Sequence, residues 1–109
     1  MNADLGGFVA EAVGTFLLIF LGCGSLCAAK LLRIPLPYVA PALIFSLVLV
    51  LLIYTLAHFS AANFNPAVTL ALLLSGQLAM HTSIIYFSGQ LCGALAAAGA
   101  LKLLILFLQ

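Results

Sequence analysis

From Gly7 to Ala29 the chain holds one charged residue, Glu11, in a run that is otherwise apolar or small. A signal peptide does not fit this segment, which is too long for the apolar core of one and has no basic stretch ahead of it. Two further runs, from about Tyr38 to His58 and from about Thr82 to Leu108, are of the same kind. Each exceeds the ~20 apolar residues that a helix needs to cross a bilayer. Between the first and second, Lys30, Arg33, Pro35 and Pro37 break the pattern and mark a loop at the membrane surface. Pro41 falls in the first turn of the second run, where a helix tolerates it. Composition agrees, since 67% of the residues are hydrophobic, 5% are charged and the mean hydropathy is +1.41, leaving too few charges to coat a water-soluble domain. The expectation is an all-α membrane protein with three transmembrane helices whose main partner is the lipid bilayer.

The same figures exclude nucleic acid as a partner, because three Lys and Arg residues and a net charge of +1 cannot neutralise a phosphate backbone. Cys23, Cys27 and Cys92 all lie within apolar runs and read as packing residues without metal-ligand spacing. His58 and His81 flank the stretch between the second and third runs as interface residues with no companion ligands. No metal or cofactor is expected. An enzyme would need polar groups converging on a reacting centre, and Glu11 with two distant histidines does not make one.

The stretch from Phe59 to Gly76 is too short to span. Asn65 suits the cap of a helix and Pro66 its first position. The apolar run from Pro66 to Ser75 would be about 15 Å long, half of a hydrocarbon core about 30 Å thick. It is read as a re-entrant half-helix. Irregular backbone at membrane depth survives only inside protein or against water, so the loop before it must line a wet cavity.

Asn65-Pro66-Ala67-Val68-Thr69 is similar to the Asn-Pro-Ala loop of the major intrinsic protein family, the aquaporins and glycerol facilitators, at the place of their first repeat. Ala10 to Leu18 followed by Gly22-Cys23-Gly24-Ser25 resembles the family's first helix, and Tyr86 to Ala94 its third. The resemblance covers essentially all of residues 1–109 and implies one half domain, with helices at about 7–29, 38–58 and 82–108 and the re-entrant part at about 59–76. This is half of an aquaporin-like inverted-repeat bundle. Members of the family carry a second, inverted repeat that nothing in these 109 residues matches. Either two copies pair antiparallel, with four such pores clustering, or the chain is a fragment or a half that does not conduct alone and needs another half-protein to complete the fold.

What the resemblance implies for function is a passive pore for water or small neutral solutes such as glycerol or ammonia. The Asn65 amide and the positive end of the half-helix dipole would meet the solute and oppose cations and protons. Backbone carbonyls of Ala61, Ala62, Asn63 and Phe64 would form an acceptor ladder. Phe45, twenty residues before Asn65, would form the selectivity constriction with Ala62 and Val68. The family's filter arginine follows the second Asn-Pro-Ala, and the matching position here is Val68, so the filter would be apolar and lack a fixed positive charge. Ala61-Ala62-Asn63 stands where the family commonly has Gly, a small residue and His, which would crowd the loop.

A carboxylate within a spanning helix is costly and points to function. The family assigns this glutamate to bracing the re-entrant loop, and no chain of partners for a proton relay accompanies Glu11. Gln90 is expected to tie the third helix to the loop. Gly14, Gly89, Gly93 and Gly99 read as close-packing faces, with Gly89 and Gly93 at small-x-x-x-small spacing. Lys30, Arg33 and Lys102 fall toward one side of the membrane. The positive-inside rule puts that side in the cytoplasm, whereas the family puts the N-terminus there. Insertion in both orientations would reconcile the two.

Overall fold

The computed structural model describes residues 2–109 and consists of four helices: α1 (Ala3–Leu31), α2 (Val39–Leu56), α3 (Pro66–Leu74) and α4 (Met80–Leu108). No strand occurs among the described residues. α1, α2 and α4 are long and apolar enough to cross a membrane, and α3 is not. Tyr38 and Tyr54, both strongly exposed, stand near opposite ends of α2. They lie about 24 Å apart along its axis.

α1 and α4, with 29 residues each, are longer than the apolar runs that announce them. In α1 the extension is polar in origin: the Asn2 side chain accepts the Leu5 N–H at 2.7 Å and starts the helix at Ala3. Its other end closes when Arg33 N–H donates to Lys30 and Ile34 N–H to Ala29, with Arg33 at φ +56°. α3 ends with the same pair of bonds, from Gly76 N–H to Leu73 and from Gln77 N–H to Leu72. There a glycine takes the positive φ, at no steric cost.

α1 packs chiefly on α4 and also on α2, and α3 packs on α4. The α1–α4 contact is backbone on backbone. A Cβ on Gly89 would sit 2.7 Å from the Phe8 carbonyl oxygen, and one on Gly93 would collide with that of Ala12. Gly89, Gly93, Ala97 and Leu101 recur every fourth residue and form the stripe facing α1, and Ala97 is fully buried. Gly99 departs from the expectation of close packing: a Cβ there meets nothing, because its position in the helical turn takes it off that stripe. The apolar core proper is small, centred on Leu52, Ala62 and Phe64 with Leu17, Leu18, Val48, Leu49 and Leu56 against it. The remaining apolar surface faces outward, as a lipid-exposed bundle requires.

Gly93→Leu should therefore force α1 and α4 apart and cost about 1–3 kcal/mol, the usual range for overpacking. Unfolding in mixed micelles of mild detergent and dodecyl sulfate, followed by circular dichroism, measures it. Gly99→Leu is the matched control and should unfold at the wild-type midpoint.

Candidate functional site

The loop between α2 and α3 enters the bundle from the side on which α1 and α4 begin. Its depth follows from Gln90, ten residues beyond the start of α4 and so about 15 Å along it, half the hydrocarbon thickness. Gln90 Nε2 donates to Thr69 Oγ1 in the first turns of α3 at 2.8 Å, so the half-helix begins near the bilayer centre. Asn65 caps it, its Oδ1 accepting the Ala67 N–H at 2.9 Å, and Pro66 occupies the first helical position.

A non-helical loop at that depth must satisfy its amides locally. The fully buried carboxylate of Glu11 accepts four hydrogen bonds: Oε2 from Ser60 Oγ at 2.7 Å and Asn63 N–H at 3.2 Å, Oε1 from Phe64 N–H at 2.9 Å and Gln90 Nε2 at 2.7 Å. The Ala61 N–H donates to Tyr86 Oη at 2.8 Å and the Ala62 N–H to Ser60 Oγ at 2.9 Å. Asn63 Nδ2 donates to Thr69 Oγ1 at 2.9 Å, so Thr69 gathers the loop, α3 and α4 on one oxygen. Ala62 and Phe64 both sit at φ +53°, a left-handed conformation that costs a non-glycine residue about 1–2 kcal/mol. The bonds to Glu11 hold that strain. Phe64 adds a steric lock, because its ring fills the notch left by Gly14, where any Cβ would strike it.

Peptide geometry turns this brace into a directed surface. In a trans amide the N–H and C=O point oppositely, and no cis bond occurs among the described residues. The amides of Asn63 and Phe64 aim at Glu11, so the carbonyls of Ala62 and Asn63 aim away from it. No donor among the described residues meets the carbonyl oxygens of Ala61, Ala62, Asn63 or Phe64.

Phe45, half-buried on α2, lays its ring over Gly22 and lines an open cavity of about 430 Å³ together with Asn65, Pro66, Phe64, Thr15 and Gln90. Two buried oxygens, Thr15 Oγ1 and Gln90 Oε1, have no partner among the described residues, and both belong to side chains lining this cavity. Ala62 does not line it: its methyl packs into the core with Leu52 and Phe64. Ala67 and Val68 are exposed on the first turn of α3. The structure thus brings Phe45 and Asn65 to one cavity and leaves Ala62 and Val68 outside it. Ala61, at the place of the family's glycine, is exposed rather than crowded, and the positive φ falls on its neighbour Ala62. His81 Nε2 lies 3.0 Å from Asp4 Oδ2 on the exposed surface where α1 and α4 begin.

Ser60, Thr69 and Tyr86 belong to the site although their residue types alone did not single them out. Two signals were available: Thr69 is the only polar side chain within α3, and Tyr86 lies one helical turn before Gln90 on the same face.

A bundle of apolar spans holding a polar, internally braced half-helix that returns to the side it entered defines a class of integral, multi-pass membrane protein. The chain belongs to the major intrinsic protein family, whose model it matches over residues 2–108. It is 41% identical over 96 residues to Nodulin-26 of Glycine max, covering 88% of this chain and 35% of that protein. To Aquaporin Z of Bradyrhizobium diazoefficiens it is 37% identical over 102 residues, covering 93% and 42%. To Aquaporin Z of Rhodopseudomonas palustris it is 39% identical over 98 residues, covering 89% and 41%. The chain therefore spans 35% to 42% of the length of these relatives. The family is one of channels rather than enzymes.

Removing the carboxylate in Glu11→Ala leaves the Asn63 and Phe64 amides, the Ser60 hydroxyl and the Gln90 amide short of an acceptor, and should cost at least about 3 kcal/mol. Thr69→Val keeps the shape, takes the acceptor from Asn63 Nδ2 and from one hydrogen of Gln90 Nε2, and should cost about 1–3 kcal/mol. The mixed-micelle titration reads both; an unchanged midpoint for Glu11→Ala would sink the brace.

Proposed function

We propose that the chain supplies one half of a transmembrane pore for water or small neutral solutes, completed by a second half-repeat. The observation that carries this reading is the Glu11 brace, which holds the loop so that carbonyls without internal donors point away from the carboxylate and the Asn65 amide stands at the start of the half-helix. A hydrogen-bonding solute finds acceptors along the loop and then a donor, since Asn65 Oδ1 is engaged by the cap and its Nδ2 is left free to donate. The half-helix dipole puts partial positive charge at the same point and opposes cations and protons. The orphan oxygens of Thr15 and Gln90 fit a cavity that carries water, since an unpaired buried oxygen costs about 1–3 kcal/mol.

The second half meets this one at the open side of the cavity lined by Phe45, Asn65 and Pro66. An antiparallel copy of the same chain satisfies that requirement with an in-plane two-fold axis, and four such pores then cluster as a tetramer. Phe45 and Val68 contribute apolar side chains to the constriction and Ala62 its carbonyl. With valine at position 68 and no arginine beside it, the barrier to protons rests on the helix dipoles. The coverage of the relatives supports a second arrangement, in which the completing half is a different half-repeat.

Proteoliposomes containing only this chain should shrink faster than protein-free vesicles in stopped-flow light scattering, and Asn65→Leu should bring the rate back at least about tenfold toward the lipid baseline. Wild-type protein that inserts and leaves permeability at the baseline would remove the homodimeric pore and turn attention to a partner half.

A further inference from the structure

The stripe that joins α4 to α1 grows in size along the helix, from Gly89 and Gly93 through Ala97 to Leu101. At the glycines the two backbones touch, whereas at Leu101 the contact is made by a side chain, whose Cδ2 would lie 3.2 Å from a Cβ on Gly24. The helices therefore separate toward their C-terminal ends and leave between them a crevice of about 300 Å³, lined by Leu21, Gly24, Ala28, Leu31, Leu104 and Leu108 among others. Its one polar side chain, Ser25, turns its hydroxyl inward to the Gly22 carbonyl at 2.8 Å, so nothing in the crevice asks for water.

The end of the bundle where the crevice opens also carries every Lys and Arg of the chain. Lys30 occupies the last turn of α1 beside the lining residue Leu31, and Arg33 follows in the turn that closes the helix. Lys102 sits beside the lining residue Leu101, about 9 Å short of the end of α4. All three are exposed. Neither carboxylate is near, since Asp4 and Glu11 lie in the first half of α1.

We propose that this crevice seats an acyl chain of an anionic phospholipid whose phosphate is met by Lys30, Arg33 and Lys102. A hydrocarbon tail fills a slot with no polar demand, and a phosphate at the interface gives one counter-charge to three cations that have no ion-pair partner among the described residues, the arrangement by which basic positions beside transmembrane helices select acidic lipid. This site lies away from the Asn65 cavity and does not depend on the channel reading.

The test is native mass spectrometry of the full chain, released from nanodiscs containing equal phosphatidylglycerol and phosphatidylcholine, counting retained lipid. Wild type should retain phosphatidylglycerol at least about tenfold over phosphatidylcholine. Lys30→Gln/Arg33→Gln/Lys102→Gln should bring the ratio near one, while Lys30→Arg/Lys102→Arg, which keeps the charges, should preserve it. Ala28→Phe fills the slot without touching a charge and should lower phosphatidylglycerol retention about tenfold, with helix content by circular dichroism unchanged. Equal retention of the two lipids by wild type, a preference that survives in the triple variant, or an Ala28→Phe variant that binds as wild type would each overturn the proposal.

Discussion

Hydrocarbon offers no partner to a peptide group, and a loop that stops being helical at the bilayer centre must find one for each amide within the protein. In this chain the Glu11 carboxylate meets most of that demand. It takes the amides of Asn63 and Phe64 directly and steadies Ser60, which takes that of Ala62. The arrangement explains how Ala62 and Phe64 persist at positive φ without glycine. It also explains why a carboxylate is kept in a helix that faces lipid on its other side.

The brace in turn depends on how closely α1 approaches α4. Glu11 and Gln90 are hydrogen-bonded only because Gly89 and Gly93 let the two backbones come together on either side of them. Gln90 then carries the connection outward, one amide hydrogen bonding Glu11 and the same nitrogen reaching Thr69. A substitution on the far face of α4 can thus loosen the half-helix without touching it. The flat contact and the polar cluster form one unit in which packing sets the distance and hydrogen bonds fix the angle.

The three spans were legible because lipid solvent imposes a simple rule on length and polarity, and the start of the half-helix was legible because Asn65-Pro66 is a local signal. What lay beyond reach was non-local. Glu11 and Phe64 are 53 residues apart in the chain, and nothing local to Ser60, Thr69 or Tyr86 says which distant group they meet. The positive φ of Ala62 and Phe64 was hidden for the converse reason: the usual marker, glycine, is missing, and tertiary contacts impose the conformation. Gly99 shows the limit of reading small residues as contacts, since its composition matches Gly93 and only its angular position on the helix differs.

The half-helix returns to the face it entered, so it adds nothing to the number of crossings. Three spans are an odd number, and the chain leaves the membrane on the side opposite to where it began. A second stretch of the same kind joined directly behind Gln109 would then start from the other face and be threaded upside down. Inverted symmetry would need no instruction of its own in such a protein. It would follow from parity, and tandem duplication of a chain like this one would produce it in a single step.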